Sequence, residues 1–273
     1  MKSKLNVILL GTGLMAAACG ADELSDKGAD IFQKNQHAVV TVQAVMKVAD
    51  GRNGARESKQ DITGTVIDPS GLTVVALSSV DPMELYRRIS EKFGKTEIEV
   101  SDMKILLDDG TELPAEIVLR DKDLDLAYVR PKAKPEAPMV AIDFTKSSPV
   151  KVLEEVVTLN RLNRAAGRAY AVSVERIAAV IQKPRTFYIP NTGQSTTALG
   201  SPASALNGNV VGMFVMRAVN AEDTSAAEAQ KYMTAILIPA EDILKGEKQA
   251  LEAKSEAEKP AAAAADKPKD DKK

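Results

Sequence analysis

The chain has 273 residues, with 36 Lys and Arg against 38 Asp and Glu for a formal charge of −2, no Trp, and aromatic residues at 4%. That balance offers no basic footprint for nucleic acid and no stacking platform for bases or sugars. One histidine, His37, and one cysteine, Cys19, rule out an internal disulfide and leave no Cys/His cluster for a metal, so no cofactor or metal is expected.

The N-terminus reads as a leader. Lys2 and Lys4 precede an uncharged, mostly apolar run from Leu5 to Ala18, which ends in Ala16-Ala17-Ala18. This is the pattern of a secretory signal peptide over 1–18, with an apolar run too short to stay in a bilayer as a helix. Cys19 after three alanines resembles the lipobox of bacterial lipoproteins, although Ala16 stands where Leu is commoner. That resemblance implies a lipid on Cys19, a tether over 19–36, and a chain anchored in the cell envelope facing periplasm or exterior. Simple cleavage after Ala18, leaving a free thiol, is the alternative.

The body, about 215 residues, reads mostly as strands. Ala38 to Val45 is rich in β-branched residues, and Asp50 to Gln60 is a polar loop. Ile62 to Ile67 and Leu72 to Leu77 are strands around an Asp68-Pro69-Ser70-Gly71 turn. Met83, Tyr86, Ile89 and Phe93 fall at helical spacing, so Pro82 to Phe93 is expected to be a helix covering a barrel edge. Met103 to Leu107, an Asp108-Asp109-Gly110 turn, Ala115 to Leu119 and Asp125 to Val129 complete a first block at about 37–130. Pro131, Pro135 and Pro138 mark a link. A second block, about 146–244, has strands near 156–160, 169–178, 185–189, 210–216 and 234–238. From Lys245 onward the Ala/Lys/Glu-rich chain lacks the apolar surface to offset its ordering entropy. A short helix over Glu247 to Ala257 and disorder beyond Pro260 are expected there.

Several motifs resemble the HtrA/Deg group of trypsin-like serine proteases, of the S1 chymotrypsin-like kind. They are Gly64 to Val75 with its Asp-x-x-Gly turn, Asp109-Gly110 leading to Pro114-Ala115, and Arg120-Asp121 leading to Asp125-Leu126-Ala127. Gly200-Ser201-Pro202-Ala203, Asn207-Gly208 to Gly212, and Ile238-Pro239 follow in the same order. The resemblance implies an all-β fold: a trypsin-like double β-barrel over 37–244, with one or two peripheral helices and an active cleft between the barrels. The tail leaves no room for a PDZ domain.

The resemblance places the catalytic acid on Asp125. The histidine position falls on Ser78 and the nucleophile position on Leu199. A serine cannot replace imidazole as general base, and leucine has no hydroxyl. Thr197 replaces a glycine whose backbone freedom serves the oxyanion hole. Ser195, in Gly193-Gln194-Ser195, and Ser201 are fallback nucleophiles that would need another base such as Lys183. The expected function is therefore a pseudoprotease that holds an extended protein or peptide segment by strand addition. An active endopeptidase using Ser195 or Ser201, and a structural envelope lipoprotein, are the alternatives. Asp125 is expected to be a buried acid accepting backbone hydrogen bonds, and His37 a surface residue at a strand start.

Overall fold

A computed structural model describes residues 23–49, 55–90, 97–191, 198–221, 224–225 and 228–253. It begins with helix α1 (Glu23–Asn35). Strands β1 (Val39–Ala49), β2 (Ala55–Val66) and β3 (Thr73–Ala76) follow, then two short helices, α2 (Leu77–Val80) and α3 (Pro82–Ile89). Strands β4 (Glu97–Leu106), β5 (Glu112–Asp121) and β6 (Leu126–Pro131) close a six-stranded antiparallel barrel in the order β1-β2-β3-β6-β5-β4. A second closed barrel, in the order β10-β11-β12-β9-β8-β7, is built from β7 (Glu155–Arg161), β8 (Tyr170–Ile181), β9 (Phe187–Pro190), β10 (Pro202–Ala205), β11 (Val210–Ala218) and β12 (Met233–Pro239). Helix α4 (Ala240–Glu252) ends the described chain. The all-β double barrel is present as expected.

Closure removes free sheet edges, and the strands that meet at the seam, such as β3 and β11, are buried on both faces. In β1 the core side carries Val40, Val42, Ala44 and Met46, which pack with Ile105, Ile117 and Val129 inside the first barrel. The second barrel is filled by Val156, Ile177, Phe214 and Leu237. A third cluster joins the two: Leu72, Val74 and Tyr128 meet Met213, Val215, Ile236 and Ile238. The proline-rich link crosses this seam, with Ile142 donating its N–H to Val66 at 3.0 Å and burying its side chain beside Phe144.

Four local expectations differ from the structure. The polar stretch expected as a loop is strand from Ala55 and pairs in unbroken register with β1, Lys47 opposite Glu57 and Met46 opposite Ser58. Its alternation of short polar and charged residues has strand period without an apolar face. β10 is four residues long and starts on a proline, too short to stand out in sequence. The segment 23–35, expected as tether, is helical: Leu24, Gly28, Ile31 and Phe32 share one face, and Ile31 packs on Val157 and Leu159 of β7. The short helix expected over Glu247 to Ala257 at the start of the tail is instead the end of α4, which begins at Ala240, stops at Glu252 and buries Ile243, Gly246 and Ala250. Among the described residues no helix is long and apolar enough to cross a membrane.

Helix α4 packs across the seam, against β11 of the second barrel and against β5 and β6 of the first. The Tyr128 hydroxyl of β6 donates to the Ile243 carbonyl at 2.8 Å, and Arg130 reaches the Ala253 carbonyl at 3.1 Å. A side chain at Gly246 would place its Cβ 2.1 Å from the Tyr128 hydroxyl oxygen. Tyr128 is wholly buried and has no space to withdraw into. Gly246→Ala is therefore expected to cost about 3 kcal/mol, read from the urea midpoint, through lost seating of α4. An unchanged midpoint would mean that α4 does not dock here.

Candidate functional site

The site is built where β3 runs into α2 and the turn before β6 crosses it. Asp125 closes that turn with φ +59°, a left-handed backbone that non-glycine residues adopt only where the surroundings hold it. Its carbonyl accepts from the Leu77 N–H at 2.8 Å. One carboxylate oxygen accepts from the Ser78 N–H at 2.7 Å. The other accepts from the Ser78 hydroxyl at 2.8 Å and from the Met216 N–H of β11 at 2.8 Å. The side chain is buried, and burial pushes its pKa up to about 6. The N–H of Met216, both Ser78 donors and the charge of Arg88 oppose that rise without cancelling it.

Ser78 is buried on α2 with its hydroxyl proton given to Asp125, and a hydroxyl oxygen is too weakly basic to take a proton from a neighbour near neutral pH. Leu199 lies in a tight turn, Ala198 to Ser201, in which the Ser201 N–H returns to the Ala198 carbonyl at 2.9 Å. Its side chain packs with Leu85 and Ile89 of α3, Met216 of β11 and Met233 of β12. Helix α3 thus seals one flank of the site. Asp81 caps it by accepting from the Glu84 N–H at 3.2 Å, and Pro82 supplies its first turn. The Ile89 carbonyl then accepts from the Ala221 N–H at 2.8 Å. The helix ends at Ile89, and the expected continuation to Phe93 enters residues 91–96, outside the described residues.

On the other flank a cleft of about 770 Å³ opens between the barrels. Ser78, Leu199 and Met216 lie at its base, Ile62 belongs to its β2 wall, and Asn160 to the end of β7. Asp61 braces that β2 wall: Arg168 from the second barrel donates to it at 2.8 Å, and Gln43 at 2.9 Å. Partial burial raises the Asp61 pKa, but the bonds from Arg168 and Gln43 and the charge of Arg164 leave it lowered overall.

The structure brings three sequence-selected residues, Ser78, Asp125 and Leu199, to one place. Ser201 is fully buried behind them, with its hydroxyl 3.3 Å from Asn160 Oδ1, the atom that also accepts from Thr63 at 2.9 Å. Lys183 is exposed and is not part of the cleft wall. Ser195, Thr197 and Cys19 lie outside the described residues. His37 sits in a single turn ahead of β1 with Nδ1 2.7 Å from Asp108, away from the cleft. Sequence reasoning did not find the Met216 N–H or Asn160, because a backbone donor and a lone amide carry no motif.

No family model matches the sequence, and no curated protein matches it. Solved structures do. The crystal structure of Deg5 shares 15% identity, with 83% of this chain and 94% of that chain covered at a TM-score of 0.55. The HtrA-type protease AlgW with decapeptide shares 13%, covering 82% of this chain and 67% of that one at 0.53. The MamO protease domain from Magnetospirillum magneticum shares 16%, covering 79% and 98% at 0.50. The chain has the trypsin-like fold. Within this trypsin-like double barrel the carboxylate of Asp125 is held by a serine and a strand N–H, and the turn nearby presents leucine to the cleft.

Proposed function

We propose that this chain is a trypsin-fold pseudoprotease that binds an extended peptide segment in the cleft between its barrels without cleaving it. The observation that carries this reading is the pairing of an open cleft with a disarmed base: Ser78 is locked onto Asp125, and Leu199 is buried under α3. Hydrolysis of a peptide needs a group that takes the nucleophile's proton, and neither residue supplies one. Ser201 shares Asn160 with Thr63, and among the described residues no lysine, histidine or carboxylate is hydrogen-bonded to its hydroxyl. The cleft meanwhile combines apolar side chains from Ile62, Leu199 and Met216 with hydrogen-bonding groups from Asn160 and Asn163, the mixture that grips an extended chain. Lipidation at Cys19 would hold this binder at the cell envelope, as its leader suggests.

The test is a fluorophosphonate probe applied to the purified protein beside an active trypsin-fold protease, with a fluorescein-labelled apolar decapeptide titrated into the same preparation. No labelling, saturable peptide binding and at least tenfold weaker binding by Leu199→Asp are expected, with palmitate incorporated metabolically at Cys19. Stoichiometric labelling at Ser195, Ser201 or Ser78 would replace this reading with that of an active endopeptidase. Absence of both labelling and peptide binding would leave a structural envelope protein.

A further inference from the structure

Arg161 ends β7 on the wall of the cleft, but the residues that hold its guanidinium are not part of that wall. Its side chain is only 10% exposed. The guanidinium lies over the ring of Tyr170, its central carbon 4.0 Å from the centroid, and one terminal nitrogen is 3.3 Å from an Asp108 oxygen. The other Asp108 oxygen accepts from the Tyr170 hydroxyl and stands 2.7 Å from His37 Nδ1. Stack and ion pair together hold the planar fork in one place, with Asp108 of the first barrel gripping an arginine of the second.

A cation set this deep needs its N–H donors met. Among the described residues the Arg161 side chain has the Asp108 ion pair but donates no hydrogen bond, and its Nε is enclosed without a partner. The cleft wall does not supply the missing acceptor. Asp61, the one carboxylate there among the described residues, accepts from Gln43 and Arg168 and faces Arg164 at 3.7 Å. Glu112, also within electrostatic reach of Arg168, is bonded to Lys104 at 2.9 Å. Three guanidiniums, those of Arg161, Arg164 and Arg168, thus share two carboxylates, Asp61 and Asp108. A further negative group at Arg161 meets no uncompensated acid.

We propose that Arg161 makes the cleft selective for peptides that bring a carboxylate, which its guanidinium binds; the inference rests on the cleft being a peptide site. A carboxylate offers two oxygens to the planar fork, so it meets more of the empty donors at once than a backbone carbonyl can, and it carries the opposite charge. The Tyr170 stack and the Asp108 ion pair already hold the long side chain, which lowers the entropy lost on binding. The cleft, about 770 Å³, has room for the group and the chain that carries it, with Asn160, Leu162 and Asn163 beside Arg161 on the wall. An Asp or Glu side chain and a free chain end present the same carboxylate, and the test separates them.

Fluorescein-labelled, C-terminally amidated decapeptides of Ala, Leu and Gln are titrated with the purified protein. One Glu replaces Gln at successive positions, beside the Glu-free parent and the same parent with a free C-terminus. Either a Glu at one or two positions or the free C-terminus is expected to tighten binding about tenfold over the parent, and whichever does so names the source. Arg161→Gln should erase that gain while binding the parent within about twofold of the unaltered protein, so that the parent reports an intact cleft. Arg161→Lys, which keeps the charge and loses the fork, should retain only part of the gain. Arg176→Gln, which removes an equal charge from an exposed position on β8, should keep all of it. Equal binding of the parent and every carboxylate peptide, or a gain that survives Arg161→Gln, would overturn the selectivity and leave the peptide cleft standing. No binding of any peptide, parent included, would overturn both.

Discussion

Replacing Asp125 by alanine is expected to destabilise the chain most at low pH, by about 5 kcal/mol near pH 4, and by about 2 kcal/mol at pH 7. The variant strands three buried donors, the Ser78 N–H and hydroxyl and the Met216 N–H, each costing about 1 to 3 kcal/mol when left without a partner. Against that cost stands the price of holding a charge in this place. The folded pKa of about 6 lies above that of the unfolded chain, about 3.9, so between these values the folded protein keeps a proton that the unfolded chain releases. The stabilisation from that proton is complete below about pH 4 and is lost as pH rises through about 6, a loss of about 3 kcal/mol. Removing the carboxyl removes this dependence. Urea unfolding of both proteins across that range is the check. A cost that grows with pH would mean that Asp125 is stabilised as the anion, and that the three donors outweigh its burial.

Gly200→Ala is expected to cost about 4 kcal/mol or more, for two reasons that add. Its φ of +83° is a left-handed backbone that costs an alanine about 1 kcal/mol. In addition, the new Cβ would stand 2.1 Å from the carbonyl oxygen of Thr63, a backbone atom of the opposite barrel. The Gly200 carbonyl meanwhile accepts from the Thr65 hydroxyl at 2.8 Å, so the turn cannot retreat without breaking a buried bond between the barrels. Gly208 supplies the control. It has nearly the same φ, +82°, but open space around the added atom, so Gly208→Ala should show the backbone cost alone. Equal thermal midpoints for the two variants would show that the barrels are not seated through the Gly200 turn. The Gly200 variant should also lose peptide binding, because Leu199 is its neighbour in the same turn.

Sequence carried the barrels well where side-chain period does the work. β1, β6, β11 and β12 each hold β-branched or large apolar residues on a buried face, and each was legible from that pattern. Ser78, Asp125 and Leu199 were selected because several motifs kept a familiar order, and the structure sets the first two 2.8 Å apart with the third at the same cleft. The remainder depends on tertiary partners. The α3 helix was legible from Met83, Tyr86 and Ile89, but not that Leu85 and Ile89 would pack onto Leu199, since nothing local marks which surface a helix will meet. The composition from Lys245 onward suggested a solvated tail opening with a short helix, and Tyr128, 115 residues before Ile243, together with the seam cluster of both barrels gives Ile243 and Gly246 a place to dock.

The two end helices cross over. α1 precedes the first barrel and packs on β7 of the second, while α4 follows the second barrel and packs on β6 of the first. During synthesis the first barrel leaves the ribosome with the binding place for α4 empty, and α1 waits for strands not yet made. The chain therefore commits to its final form only near its end. Pairings this distant in sequence slow folding, because loop closure must be met before any contact repays it. Until the last helix arrives, the Tyr128 hydroxyl lacks the Ile243 carbonyl and the seam lacks Ile243 and Ala250, although the bonds that join the barrels directly, Asp125 to Met216 and Thr65 to Gly200, can already form.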